Sequence, residues 1–166
     1  MYDDVFAELV SLLEPLEAVG QSPVHHPEGN ALFHSLQVFE QARRSSREPA
    51  HWAAALLHDL GKAVVAPCHA AAGADMLDGI ANQHVQWLVA HHLDLLREPK
   101  LTRIALGLDP RLRDLERLRA WDLAGRKVNA LVPSVERAVG LLLEPGVAET
   151  WLAPSVVAED DWLVDA

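Results

Sequence analysis

The chain has 166 residues, so it is expected to fold as one domain over residues 1–166, and its single cysteine, Cys68, excludes an intramolecular disulfide. Its 24 acidic residues exceed its 14 basic ones, and the formal net charge of −10 argues against binding to a long nucleic acid, because such a surface repels polyanions. No apolar run reaches the roughly 20 residues that span a bilayer, and the acidic start at Met1–Asp4 is unlike a signal peptide, so we expect a cytoplasmic protein with no membrane partner.

Apolar residues recur at helical spacing along most of the chain, and the sequence shows no sustained alternation of the kind that strands have. Helices are predicted over residues 5–19, 30–44, 50–60, 69–77, 82–96, 101–108, 110–127 and 133–143. Pro15 is expected to bend or end the first helix, Asn30 to cap the second and Gly61 to end the third. The acidic tail, residues 145–166, carries Trp151 and Trp162 and is expected to be either docked on the body of the domain or loose. It could also cover a partner, which leaves a homo-oligomer open. The sequence thus predicts an all-α fold, a single compact bundle of about six to eight helices.

Histidine stands out in the composition, because nine occur in the chain and most lie between His25 and His92. Residues that commonly bind metals occur in the order His34, His58-Asp59, His69, His91-His92 and Asp122, spread over five of the predicted helices. Each has an ordinary structural explanation by itself; a histidine at the end of a helix, for example, suits the helix dipole. Together they indicate a site for a divalent transition metal, which prefers imidazole and carboxylate ligands. His51 and His84 lie off this pattern and are expected to be structural or exposed.

Three local motifs resemble those of the HD-domain superfamily of metal-dependent phosphohydrolases. The run Leu57-His58-Asp59-Leu60-Gly61-Lys62 is similar to the central His-Asp signature of that superfamily, with its Gly-Lys extension. The run from His69 to Gly73 is similar to its His-x-x-x-Gly helix start, and residues 21–29 with His34 resemble the entrance to the HD domain fused to bacterial tRNA nucleotidyltransferases. The resemblance covers about residues 21–127, implies a helical bundle of the HD type, and leaves the terminal segments unexplained.

The resemblance also implies roles for the motif residues. One metal ion would be held by His34, His58, Asp59 and Asp122. A second would be held by His69 and His91, with or without His92, while Asp59 bridges the two ions. One or two ions per chain are expected, of Mn²⁺, Fe²⁺, Co²⁺, Ni²⁺ or Zn²⁺. Asp59 and Lys62 would be catalytic, with Lys62 neutralising a phosphate oxygen, while His26 and Glu28 would contact substrate or donate a proton to the leaving group.

The function expected from these residues is hydrolysis of a phosphomonoester or phosphodiester in a nucleotide or similar small molecule, by water that the metal ions activate. No Gly-Tyr-Pro motif follows His91-His92, which argues against a cyclic dinucleotide substrate. Asn30 stands where some members of the superfamily with three metal ions have a Glu, so a third ion is not expected. Three alternatives stay open: a di-iron oxygenase, a non-catalytic module that binds metal and nucleotide, and a helical protein with scattered histidines. Oxygen-dependent turnover with bound iron would favour the first, ligand binding without product the second, and absence of stoichiometric metal the third.

Overall fold

Every regular element in the computed structural model, which describes residues 2–160, is helical. The α-helices are α1 (Asp3–Leu13), α2 (Ala31–Ser45), α3 (Pro49–Leu57), α4 (His69–Met76), α5 (Gln83–His91), α6 (Asp94–Arg97), α7 (Pro99–Leu106), α8 (Pro110–Ala124), α9 (Val135–Leu142) and α10 (Pro154–Asp160). Short 3-10 turns lie at Glu14–Ala18, Leu60–Ala63, Ala66–Cys68 and Ala148–Thr150. The all-α prediction is confirmed. The helices outnumber the predicted six to eight because the segment expected at 82–96 divides into α5 and α6 and because α10 was not predicted.

Side-chain caps and prolines set the helix starts on which the positions of the site residues depend. The side chain of Asn30 accepts a hydrogen bond from the backbone nitrogen of Phe33 and so begins α2 as predicted. Asn82 caps α5 in the same way, while α3 and α8 begin at prolines, whose missing N–H costs nothing in the first turn of a helix. Pro15 falls in the 3-10 turn after α1, so the predicted break occurs there. Among the described residues, no helix is long and apolar enough to cross a membrane.

The hydrophobic core lies where α2, α3, α5 and α9 meet, and the C-terminal segment packs back onto it. Phe39, Leu56 and Leu142 are fully buried at this junction. Trp151 is also fully buried, and its Nε1 donates a hydrogen bond to the carbonyl oxygen of Leu142. Trp151 therefore covers the core of its own chain, which agrees with the docked arrangement expected for the tail. Trp162 lies outside the described residues.

Gly61 has a different role from the predicted one of ending a helix. Helix α3 ends at Leu57, and Gly61 lies in the following 3-10 turn, packed against the start of α4. A Cβ atom at this position would overlap the carbonyl oxygen of His69 and lie 2.7 Å from the backbone nitrogen of Gly73. The missing side chain thus lets two backbones touch, and this close approach brings the end of α3 beside His69.

Candidate metal centre

Six of the seven predicted metal ligands lie close together, although they come from five different helices or the turns that directly follow them. They are His34 of α2, His58 and Asp59 after α3, His69 of α4, His92 after α5 and Asp122 of α8; we call this set the main centre. All of them except Asp122 are more than nine-tenths buried. Within the described chain, two of the groups whose ligand atoms all lie within 4.8 Å of one another come from this set. One group is His34, His58 and Asp122, and the other is Asp59, His69 and His92.

The four histidines of the main centre are held in one tautomer by backbone carbonyl groups. The Nδ1 atoms lie near carbonyl oxygens as follows: His34 at 3.0 Å from Gly125, His58 at 2.9 Å from Ala55, His69 at 2.8 Å from Ala66 and His92 at 2.7 Å from Val89. A carbonyl oxygen only accepts hydrogen bonds, so each Nδ1 must carry the proton. In the neutral form of each ring, Nε2 is then left with a lone pair that points into the cluster, which is the usual arrangement of histidines that bind metals.

Several of these lone pairs face other acceptor atoms with no proton between them. The Nε2 atoms of His69 and His92 are 3.2 Å apart. The Nε2 atom of His34 is buried without a hydrogen bond, and Oδ1 of Asp122 lies 3.1 Å from it. A buried polar atom without a partner is costly, and two acceptors at this distance repel each other unless a cation lies between them. The donor set therefore fits bound transition-metal ions, which lone pairs of nitrogen and oxygen suit.

Asp59 lies between the two groups of ligands, as the bridging role requires. Its Oδ1 is 3.2 Å from Nε2 of His69 and 3.7 Å from Nε2 of His92. Its Oδ2 is 3.3 Å from Nε2 of His58 and 4.0 Å from Nε2 of His34. Each carboxylate oxygen thus faces a different pair of histidines, so one side chain can serve ions on both sides.

The charges within the main centre keep its carboxylates ionised. Burial opposes ionisation of Asp59, but the neighbouring His58, His69 and Lys62 hold the pKa of its carboxyl well below the usual value. Burial lowers the pKa of His92 to about 3, with a further contribution from charge on His58. The pKa of His58 itself is raised, because Asp59 outweighs the effect of burial. At neutral pH the site therefore presents an ionised Asp59 and a neutral His92, the forms of these side chains that bind metals.

Two arginines that the sequence analysis did not identify hold Asp122 in place. Nη1 of Arg119 donates to Oδ2 of Asp122 at 2.8 Å, and Nη2 of Arg126 donates to Oδ1 at 3.2 Å. Burial opposes ionisation of Asp122, yet His34, His58 and Arg126 hold the pKa of its carboxyl well below the usual range. Arg119 precedes Asp122 by three residues and Arg126 follows it by four, so the helical spacing of the three residues was the available signal.

Lys62 joins these arginines around a small cleft over the main centre. Its Nζ donates to Oδ2 of Asp59 and to Oε1 of Gln21, both at 2.7 Å. The cleft has a volume of about 200 Å³ and is lined by Lys62, Arg119, Arg126, His26 and every residue of the main centre except His34, together with Leu93 and Leu96. Three cations therefore surround the cleft of a protein whose net charge is −10.

The loop before α2 brings His26 to the cleft but not Glu28. His26 lines the cleft, and its Nδ1 lies 2.9 Å from Oε1 of Glu28. The same oxygen lies 2.8 Å from Nδ1 of His34, and the Glu28 side chain is fully buried. Glu28 therefore does not line the cleft, where the sequence placed it as a substrate contact; it lies behind the ligands and orients both rings. With its Nδ1 proton directed to Glu28 and its pKa lowered chiefly by burial, His26 is suited to accept a proton at Nε2.

His91 is not part of the main centre. Its ring stacks on Trp87 at 4.4 Å, and its Nδ1 lies 2.7 Å from Oδ2 of Asp94. The side chain is 40% exposed. Adjacent residues at a helix end point about 100° apart, and here the turn after α5 directs His92 inward and His91 outward. The structure therefore does not bring His91 together with the other predicted ligands, and His92 lies beside Asp59 and His69 in its place.

Comparison with known proteins places the cluster within one family. The family model described as "HD domain" matches residues 32–126, which include the six residues of the main centre. The chain is similar to proteins named "Multifunctional CCA protein". It is 47% identical over 55 residues to that of Methylococcus capsulatus, a match covering 33% of this chain and 13% of the relative. It is 37% identical over 83 residues to that of Pseudomonas aeruginosa, covering 45% of this chain and 20% of the relative. The match thus spans a fifth or less of these relatives.

Proposed function

The chain belongs to the HD domain family, whose members are of the metal-dependent hydrolase type, and we propose that it hydrolyses a phosphomonoester or phosphodiester of a small molecule, with a nucleotide as the favoured class. The observation that carries this proposal is the pairing of an anionic ligand cluster with a ring of cations. The imidazoles and carboxylates of the main centre can hold one or two divalent ions, while Lys62, Arg119 and Arg126 line the cleft above them. A phosphate ester is anionic and needs both features.

Bound ions would lower the pKa of a nearby water and neutralise phosphate oxygens, which is the chemistry that divalent metals supply to hydrolases. Asp59 would anchor that centre from both of its oxygens. His26 would accept a proton at Nε2 from the attacking water, because Glu28 fixes the proton on Nδ1. This role replaces the proton donation to the leaving group that the sequence suggested.

The cationic side chains would hold the phosphoryl group. Nζ of Lys62 lies 2.7 Å from Oδ2 of Asp59, so this ammonium would contact a phosphate that binds beside the bridging carboxylate. Arg119 and Arg126 are each about one-fifth exposed, and both keep donors beside Asp122. A cleft of about 200 Å³ accommodates a phosphoryl group with part of its alcohol, which favours small substrates over long polymers.

The test is hydrolysis of p-nitrophenyl phosphate, bis-p-nitrophenyl phosphate and a panel of nucleotides with added Mn²⁺, Co²⁺ or Ni²⁺. We expect turnover that requires metal and is lost in Asp59→Ala. His91→Ala is the matched control, since His91 carries a His–Asp contact outside the main centre. It is expected to keep wild-type turnover and metal content. Metal-dependent turnover that persists in Asp59→Ala would overturn the assignment.

Two other outcomes would replace the proposal with the alternatives that the sequence left open. Oxygen-dependent turnover of an organic substrate by the iron-loaded protein, without phosphate release, would identify an oxygenase. Tight nucleotide binding by the metal-loaded protein, without any product, would identify a binding module. A cytoplasmic location and a homo-oligomeric state stay predictions, and sedimentation velocity measures the second.

A further inference from the structure

A second group of potential metal ligands lies on three of the helices that build the main centre. His51 of α3, His84 of α5 and Asp114 of α8 place ligand atoms within 4.8 Å of one another. Each precedes a residue of the main centre by seven or eight positions, as in the pairs His51 and His58, His84 and His92, and Asp114 and Asp122. Seven or eight residues are two helical turns, or about 11–12 Å along the axis. We call His51, His84 and Asp114 the outer cluster.

The distances in the outer cluster suit shared coordination of one ion. Nε2 of His51 lies 2.9 Å from Oδ1 of Asp114, and Nε2 of His84 lies 3.3 Å from Oδ2 of the same carboxylate. Oε2 of Glu48 lies 3.5 Å from Nε2 of His51 and can supply a fourth ligand. Two imidazoles with one carboxylate form a donor set typical of Zn²⁺ sites, in which the fourth position holds water or another side chain.

The surroundings of His51 resemble the support that metal-binding histidines receive. Oγ of Ser46 lies 2.8 Å from Nδ1 of His51. When that oxygen accepts the Nδ1 proton, Nε2 keeps the lone pair that an ion requires. The His51 side chain is 1% exposed, whereas those of His84 and Asp114 are 35% and 15% exposed. The buried ligand is thus fixed, and the two others leave a path to solvent.

The charges around the outer cluster favour a cation. Asp114 and Glu48 contribute two carboxylates, and both border a surface cleft of about 570 Å³. Nη1 of Arg117 lies 3.9 Å from Oδ1 of Asp114 and 3.8 Å from Oε1 of Glu48, beyond hydrogen-bond distance. Its side chain is 43% exposed, so it can move into solvent when an ion enters.

We propose that the outer cluster is a binding site for one Zn²⁺ ion, separate from the main centre. The ion joins α3, α5 and α8 two turns from the ends that carry His58, His92 and Asp122, and it thereby fixes the helices that position the main centre. This inference rests on the geometry of the outer cluster and not on the proposed hydrolase activity.

The experiment is equilibrium dialysis against micromolar Zn²⁺, with the zinc bound per chain measured by plasma mass spectrometry. Because the main centre can also hold ions, the difference in bound zinc between variants is the result of interest. We expect His84→Ala to bind one ion fewer than wild type and the control His91→Ala to match wild type. Asp114→Asn, which keeps the size of the side chain, is expected to lose the same ion. Circular dichroism checks that each variant is folded.

Performing the comparison also in the Asp59→Ala background separates the two sites. There the main centre is disabled, and His84→Ala is still expected to remove one zinc ion. The proposal is overturned if His84→Ala and Asp114→Asn bind as much zinc as their parent proteins. In that case the hydrogen bonds that join Ser46, His51 and Asp114, with the ion-pair contact between His84 and Asp114, serve helix packing alone.

Discussion

Replacing Gly61 with alanine tests whether the backbone contact beside the main centre is as close as described. The added Cβ would overlap the carbonyl oxygen of His69 and lie 2.7 Å from the backbone nitrogen of Gly73. Both neighbours are backbone atoms, so no side chain can rotate away and the turn must separate from α4. Overpacking of this kind costs about 1–3 kcal/mol, and rigid neighbours place Gly61→Ala at the upper end, about 3 kcal/mol. For a chain of this length that corresponds to a fall in Tm of about 6–12 °C.

The assay is urea unfolding followed by circular dichroism, combined with metal analysis of the folded variant. Separation of the turn from α4 would also move His69 away from Asp59, whose Oδ1 now lies 3.2 Å from Nε2 of His69. Gly61→Ala is therefore expected to lose affinity for the ion that we propose His69 and His92 hold. Gly140→Ala is the control, because nothing lies within 4 Å of its Cβ position in α9. It is expected to raise stability by about 0.5–1 kcal/mol, the usual gain for alanine over glycine in a helix. A Gly61→Ala protein as stable as wild type, with wild-type metal content, would refute this reasoning.

Three further predictions concern charge and metal. Lys62→Ala should retain the metal ions, but its kcat for phosphate-ester hydrolysis should fall by about 100-fold, as expected when one group that stabilises transition-state charge is lost. An unchanged kcat would exclude Lys62 from catalysis. A divalent ion at about 100 times its Kd should stabilise the protein by about 2.7 kcal/mol, seen as a rise of about 5–11 °C in Tm that Asp59→Ala abolishes. The pKa of His92 falls from 6.5 to about 3 on folding, so between pH 6.5 and pH 3 the unfolded chain binds a proton at His92 that the folded protein does not. The metal-free protein should therefore lose stability as pH falls from 6.5 towards 3. His92→Gln should flatten that part of the stability profile, and an equal slope in both proteins would count against a buried neutral His92.

The sequence was sufficient for the helical fold because local signals decide it. Apolar spacing located the helices, and Asn30 and Pro15 marked boundaries that the structure confirms. The order of histidines and aspartates located the main centre, since ligands on different helices still follow one another along the chain. The role of Gly61 was not predictable, because its reason is a contact with α4 that only the folded chain contains.

The structure differs from the predicted site where the orientation of a side chain decides whether it reaches the main centre. The choice between His91 and His92 depends on which neighbour the turn after α5 directs inward, and sequence spacing does not specify that angle. Glu28 was assigned to substrate from its place in the entrance loop, but the loop folds so that its carboxylate lies behind His34. Arg119 and Arg126 were missed, although their spacing from Asp122 placed them on the same side of the helix predicted over residues 110–127.

The most direct test of the central claim, that the histidine and aspartate cluster is a two-ion centre bridged by Asp59, is anomalous X-ray diffraction from crystals of the protein loaded with Mn²⁺. We expect one anomalous peak surrounded by His34, His58 and Asp122 and a second between His69 and His92, with Asp59 contacting both. Crystals of fully loaded protein with no anomalous peak inside this cluster would contradict the account.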